Sequence, residues 1–83
     1  MDNGKTAKFS ISDTKTGIQK LQLAKVYDAL KAKGYNPAEQ IVGFLLTEDP
    51  AYITAYNDAR NIMCSIDRYE LLLNMFNEYL QIK

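Results

Sequence analysis

The sequence predicts an all-α domain of four principal helices, with a fifth short helical turn. Three observations support this prediction. Apolar residues recur at helical spacing, helix-ending and helix-starting residues separate these segments, and strand-like alternation is confined to Phe9 and Ile11. The 83 residues make one small domain at most. Because a domain of this size buries only about 60% of its unfolded surface, a homodimer is an easy way to bury more.

The first 16 residues are polar and rich in Lys, Ser, Thr, Asp and Gly. This composition predicts a flexible N-terminal tail over 1–16 and a helical domain over 17–83. The first helix is predicted over 17–33, because one helical face carries Leu23, Val26, Tyr27 and Leu30. Gly34 then supplies the ending signal.

The second helix is predicted to begin at Asn36-Pro37, an N-cap residue followed by the proline favoured at the first helical position. It is apolar almost all round, so we expect it at the centre of the fold. Gly43 in its middle costs about 1 kcal/mol relative to Ala. The compensation we expect is the close approach of another helix, for example one from a second subunit.

The remaining helices are predicted from their caps. Asp49-Pro50 starts a short turn through Ile53, and a helix follows from about Ala55 to Ser65. Its apolar stripe comprises Ala55, Ala59, Ile62, Met63 and Ile66. Asp67 and Glu70 have the spacing of a capping box that opens the last helix. The residues of that helix expected to face inward are Leu72, Met75, Phe76, Tyr79 and Leu80.

The composition argues against catalysis. The chain has no His and one Cys, which excludes the usual zinc sets, Ser-His and Cys-His nucleophile pairs and a disulfide within one chain. Local capping roles account for the acidic residues Asp49, Asp67 and Glu70, and phosphate-binding glycine loops are absent. We therefore predict a non-enzyme without cofactor or metal, in which Cys64 is a partly buried small apolar residue.

The charge is uneven along the chain. Ten basic and ten acidic residues cancel, but residues 1–33 hold seven Lys against three Asp. A basic first third is compatible with a nucleic-acid-binding regulator, the alternative function. The lysines are dispersed, however, and the segment 55–65 offers one cation, Arg60, where DNA binding needs many phosphate contacts. A solvated face is the favoured interpretation, without a nucleic-acid partner.

Two arginines and several tyrosines are candidates for a partner-binding or anion-binding surface. Arg60 and Arg68 are the only arginines, and a guanidinium can hold a carboxylate or phosphate through two hydrogen bonds. The alternative is intramolecular pairing with Asp49, Asp67 or Glu70. Tyrosines, here Tyr35, Tyr52 and Tyr56, are frequent in interfaces but also fill seams between helices.

The sequence shows no targeting segment, and its longest apolar stretch, 41–46, is far too short to span a membrane. A lone cysteine agrees with a reducing compartment. We therefore predict a cytoplasmic protein without membrane insertion.

The chain resembles the IreB/ReoM family of small regulatory phosphoproteins of Gram-positive bacteria. The residues that carry the resemblance are Lys33-Gly34-Tyr35-Asn36-Pro37, Gln40-Ile41-Val42-Gly43-Phe44-Leu45-Leu46, Asp49-Pro50-Ala51-Tyr52-Ile53 and Asp58-Ala59-Arg60. Near the start, Thr6-Ala7-Lys8-Phe9 is similar to the family's Thr-x-x-Phe motif. The resemblance covers about residues 6–80.

The resemblance implies a helical homodimer without enzymatic activity. It implies that Thr6 is phosphorylated by a membrane Ser/Thr kinase with PASTA domains and dephosphorylated by a partner phosphatase. It further implies control of peptidoglycan synthesis and of tolerance to cell-wall antibiotics, in the ReoM branch through ClpCP-dependent degradation of the enolpyruvyl transferase MurA.

The chain departs from the family pattern after Arg60. Arg60 and Arg68 match family arginines, whereas Cys64 and Ser65 occupy positions where two further cations are common. Asn3 lies in the region where the family has a second threonine. The departures concern the partner surface rather than the fold.

Overall fold

The computed structural model describes residues 11–82, with side chains from residue 16 onwards. The predicted all-α class is confirmed. Four α-helices are present in this part of the chain, with bounds α1 Ile11–Ala32, α2 Pro37–Thr47, α3 Ala59–Ser65 and α4 Arg68–Leu80. Two short 3₁₀ turns, Pro50–Tyr52 and Tyr56–Asp58, connect α2 to α3. No strand occurs among residues 11–82.

The first helix begins six residues earlier than predicted, at Ile11 instead of Gly17. Residues 11–16, predicted as part of the tail, form its first turns, because a helix that is stabilised further along by packing can extend through a mostly polar sequence. The rest of the predicted tail, 1–10, lies outside the described residues. At the other end the prediction is confirmed. Gly34 has φ +85°, and the Tyr35 N–H donates to the Leu30 carbonyl over 3.0 Å, the Schellman arrangement.

The predicted caps of α2 and α4 are confirmed. The Asn36 side chain accepts a hydrogen bond from the Glu39 N–H, and the Asp67 side chain accepts one from the Glu70 N–H, each over 3.2 Å. Asp49 caps the first 3₁₀ turn in the same way, through the Ala51 N–H at 3.0 Å. These bonds satisfy N–H groups that the helix itself leaves without partners.

The start of α3 differs from the prediction. Asn57 and Asp58 are both left-handed, with φ of 52° and 63°, so the α-helix begins only at Ala59. Asn and Asp tolerate this conformation better than other non-glycine residues. The Asp58 carboxylate accepts a hydrogen bond from Asn61 Nδ2 at 2.8 Å instead of capping the backbone.

The core is formed where α1 packs against α2 and α3. Val26 and Leu30 of α1 have no exposed surface, and neither do Ile53 and Met63. The remaining buried side chains are Ala29, Ile41, Phe44, Leu45, Ala59, Ile66 and Leu71. Two predictions of burial were only partly correct. Tyr27, on the predicted apolar face of α1, is exposed, and α2, which was expected at the centre of the fold, exposes Val42 and Leu46.

Gly43 has a different neighbour from the one predicted. The Tyr52 ring, in the first 3₁₀ turn of the same chain, lies directly against it, and a Cβ atom at residue 43 would overlap three ring atoms. Gln40 Nε2 donates to the Tyr52 carbonyl over 2.9 Å and helps to hold this turn against α2. The close approach that compensates for Gly43 is therefore intramolecular and aromatic.

Candidate interaction site

The last helix presents an apolar surface to solvent. Of its side chains only Leu71 is buried. The residues predicted to face inward, Leu72, Met75, Phe76, Tyr79 and Leu80, are all exposed, so this prediction was wrong. We define the α4 apolar arc as the contiguous exposed side chains on one side of the helix: Tyr69, Leu72, Leu73, Phe76, Tyr79 and Leu80.

The orientation of α4 follows from two contacts at its start. Asp67 caps the helix, and the Arg68 guanidinium bonds to the end of α2, where it donates to the Leu45 carbonyl and pairs with the Glu48 carboxylate. With this end held, Leu71 points into the core at 4% exposure, whereas Tyr79 is 87% exposed. Exposed apolar patches on small proteins are typical of surfaces that contact other molecules.

The partner of Arg68 differs from the predicted carboxylates. It pairs with Glu48, not with Asp49, Asp67 or Glu70. Glu48 ends α2 in a left-handed conformation with φ 62°, which places its side chain beside Arg68. Because the two side chains are 32% and 66% exposed, the ion pair itself contributes little, and the bond to the Leu45 carbonyl is its more specific part. Arg68 therefore joins α2 to α4.

Arg60 makes a different kind of contact. Its Nε donates to the Ile53 carbonyl at 2.9 Å, and no carboxylate among residues 16–82 forms a salt bridge with it. The residue remains exposed. Arg60 thus secures the connection between the two 3₁₀ turns and still presents positive charge to solvent. Its hydrogen bond goes to Ile53, whereas Arg68 bonds near the end of α2, so the contacts do not join the two arginines in one clamp.

The two candidate tyrosines lie on either side of Ile53 in the sequence, the residue whose carbonyl accepts the Arg60 hydrogen bond. Tyr52 covers Gly43, and Tyr56 lies under the Lys33 ammonium, which is 5.2 Å from the ring centroid. Such cation–π contacts at exposed sites contribute about 0.5–1 kcal/mol. Both rings remain partly exposed. Tyr52 and Tyr56 therefore lie on the segment that connects α2 to α3, and Arg60 lies in the first turn of α3. The candidate phosphosite Thr6 lies outside the described residues.

Cys64 is exposed, in contrast to the partly buried position predicted for it. It shares a shallow hollow with Phe44, Glu48 and Arg68. The apolar stripe of α3 uses its neighbour Met63, which is fully buried, so Cys64 is turned outward.

The described residues offer neither a metal site nor a membrane-spanning helix. They contain no group of three or more His, Cys, Asp or Glu side chains arranged to hold a metal ion. No helix within them has both the length and the apolar character required to cross a bilayer.

Sequence reasoning missed the α4 apolar arc as a surface. The available signal was that apolar residues occupy more of α4 than one buried side requires, since Leu73 and Tyr69 extend the stripe beyond Leu72 and Phe76. Sequence reasoning also missed Glu48, because its left-handed conformation depends on how α2 ends.

The fold and this surface define a small all-α protein whose last helix exposes an apolar face. A model of a known family matches nearly the whole chain. The match is to the IreB regulatory phosphoprotein family and covers residues 4–81. The chain belongs to this family of regulatory phosphoproteins. The resemblance predicted from residues 33–60 is thereby confirmed.

Proposed function

We propose that this chain is a cytoplasmic, non-enzymatic adaptor that is switched by phosphorylation of Thr6 and acts through protein contacts. The observation that carries the proposal is the α4 apolar arc in a member of a regulatory phosphoprotein family. A chain of 83 residues gains most from such a surface when another protein covers it.

The upstream part of the proposal concerns the kinase. A PASTA-domain Ser/Thr kinase phosphorylates Thr6, and a cognate phosphatase removes the phosphate. Support comes from the similarity of Thr6-Ala7-Lys8-Phe9 to the family's Thr-x-x-Phe motif and from the family match, which begins at residue 4. A phosphate adds about −1.5 to −2 charges, enough to cancel the local positive charge of Lys5 and Lys8.

The downstream part concerns the target. The chain controls peptidoglycan synthesis and tolerance of cell-wall antibiotics by affecting ClpCP-dependent turnover of MurA. The proposed contact surface is the segment with Tyr52, Tyr56 and Arg60, since Arg60 is exposed and held by the Ile53 carbonyl. Arg68 contributes by orienting α4 rather than by direct binding, because its guanidinium already bonds to Leu45 and Glu48.

The proposed homodimer uses the α4 apolar arc. Its six large side chains, brought against a second copy, form the apolar centre that dimer interfaces require. A standard interface buries about 800 Å² per partner. A contact between two copies of this arc leaves the Arg60 segment, on other elements, accessible to a different protein.

The first experiment is phosphorylation in vitro by the cognate PASTA kinase, read by intact mass and by fragment mapping. We expect one phosphate on Thr6, which is lost in Thr6→Ala. Pull-downs with the unmodified and phosphorylated forms then compare the recovery of MurA and ClpCP components. Equal recovery by the two forms would disprove the switch, and phosphates scattered over Ser10, Thr14 and Thr16 would disprove its assignment to Thr6.

The alternative, a nucleic-acid-binding regulator, has one observation in its favour. The lysines at 20, 25, 31 and 33 are all exposed on or just after α1. Lys33 is already placed over Tyr56, however, and Asp28 lies among them. An electrophoretic shift assay separates the two functions, because duplex binding through lysines weakens steeply with salt, whereas the adaptor shows no shift.

A further inference from the structure

A groove of about 360 Å³ lies between α1 and α4, on a different side of α4 from the apolar arc. Its apolar lining comes from Leu23, Leu71, Met75 and Ile82. On one wall, Asn74 Nδ2 donates a hydrogen bond to Gln19 Oε1 over 3.3 Å, so these two amides have partners. An open groove with this lining is suited to a large apolar side chain.

The groove lies next to the point where residues 1–10 join the described chain. Thr16 lines it, five residues after α1 begins at Ile11, and Ile82 lines it from the other end of the chain. Five residues of α-helix advance by about 7.5 Å, and two or three extended residues cover that distance. Residues 1–10 can therefore reach the groove without any movement of the helices.

Phe9 is the one aromatic residue of this segment. It stands two residues before Ile11, where α1 begins, so its large apolar side chain lies at the end of the segment that is nearest to the groove. Thr6 stands three residues further back, between Lys5 and Lys8.

The charges at the groove favour the same occupant. Glu78 lines it, and α4 has no basic residue in its last turn. The C-terminal end of a helix is partially negative and attracts cations. The one basic residue of the lining is Lys20, on the α1 wall. The negative charge that complements Lys5 and Lys8 therefore lies on the α4 wall of the groove.

We propose that residues 5–9 of the same chain dock in this groove, with Phe9 against Met75 and Ile82 and with the lysines beside Glu78. Phosphorylation of Thr6 releases the segment, because the phosphate is repelled by Glu78 and by the terminal carbonyls of α4. The release rests on the proposed function, which makes Thr6 the phosphosite, whereas the docking rests on the groove, on Phe9 and on the charges of Lys5, Lys8 and Glu78.

The test is NMR spectroscopy of the full ¹⁵N-labelled chain, with the side-chain amides of Gln19, Asn74 and Asn77 as reporters, since all three line the groove. We expect Phe9→Ala to shift these signals and the matched control Ser10→Ala to leave them in place. Unmoved reporter signals in Phe9→Ala would overturn the docking.

A second pair of variants tests which side of α4 Phe9 contacts, the groove or the apolar arc. The shift caused by Phe9→Ala is measured again in Met75→Lys, which puts a charge in the groove, and in Leu73→Lys, which puts one in the apolar arc. Both native side chains are already partly exposed, so the core is left intact. We expect the shift to be lost with Met75→Lys and retained with Leu73→Lys. The reverse result would place Phe9 on the apolar arc and overturn the proposal.

An experiment with the phosphorylated chain distinguishes failure of the docking proposal from failure of the proposed function. Phosphate on Thr6 is expected to move the reporter signals in the same direction as Phe9→Ala, with Thr6→Ala treated with kinase as the control. If Thr6 is phosphorylated and the signals do not move, the release is wrong and the proposed phosphoregulation stands. If the kinase does not modify Thr6 while Phe9→Ala still shifts the signals, the docking stands and the proposed function fails.

Discussion

The helices α1 and α4 both repeat apolar residues at helical spacing, yet they use them in opposite ways. In α1, Val26, Ala29 and Leu30 are buried between α2 and α3. In α4, Leu71 alone is buried and the larger apolar side is exposed. The comparison teaches that an amphipathic pattern shows which side of a helix avoids water, but not whether the same chain or another one covers it.

The largest effect is expected when a buried side chain of α1 is truncated. Leu30→Ala removes a side chain with no exposed surface, so we expect a loss of about 2–5 kcal/mol in the free energy of unfolding. A small domain has only about 5–15 kcal/mol in total. Urea denaturation followed by circular dichroism measures the change. A loss below 1 kcal/mol would show that the core is not centred on α1.

The matching change in α4 is Phe76→Ala. If the α4 apolar arc forms the proposed dimer, we expect this change to weaken self-association at least tenfold. The helical content of the chain is retained, because the side chain is exposed within the protomer. Sedimentation equilibrium over a range of concentrations measures the association. Unchanged self-association would show that the α4 apolar arc is not part of the interface.

A change at Gly43 tests the packing of α2 against the connecting segment. Alanine is the better helix former by about 1 kcal/mol, but its Cβ overlaps the Tyr52 ring, which costs about 1–3 kcal/mol. We expect Gly43→Ala to be destabilising alone and to become stabilising in a Tyr52→Ala background. Thermal unfolding of the four proteins of the cycle checks this, and additive effects would contradict the contact.

A smaller effect is expected from the cap of α4. Asp67→Ala leaves the Glu70 N–H without its side-chain acceptor and should cost about 1 kcal/mol. Asp67→Asn keeps an acceptor and is the matched control. Denaturant midpoints compare the three proteins. Equal losses in the two variants would mean that the charge of Asp67, and not its hydrogen bond, stabilises the helix.

The smallest effect is expected at the exposed end of the Arg68 contact. Glu48→Gln removes the ion pair but leaves the bond from Arg68 to the Leu45 carbonyl, so the loss should stay below about 1 kcal/mol and shrink with added salt. Arg68→Gln removes both contacts and should cost more. Equal losses in the two variants would show that the carbonyl bond contributes nothing.

Most of the elements were predictable because their signals are local. Gly34, Asn36-Pro37, Asp49-Pro50 and Asp67 act on backbone groups within a few residues, and each was correctly placed. The start of α1 was missed because polar residues at a helix start resemble a polar tail. The break at Asn57 and Asp58 was missed because two successive left-handed residues have no signature in a helical pattern.

The candidate site was less predictable than the fold. Arg60, Arg68, Tyr52 and Tyr56 could be selected by residue type, but their contacts depend on groups distant in the chain. Arg68 bonds to Leu45 and Glu48, some 20 residues earlier. The Tyr52 ring meets Gly43 because a 3₁₀ turn folds back onto α2.

The sequence by itself determined the all-α class, the ends of most helices and the family, because caps, periodicity and motifs are local features. The tertiary structure alone decided which apolar side became core and which became surface. The physical reason is that α1, α2 and α3 can enclose only part of the apolar area of so short a chain. Once Arg68 and Leu71 have anchored α4, its remaining apolar side chains face outward.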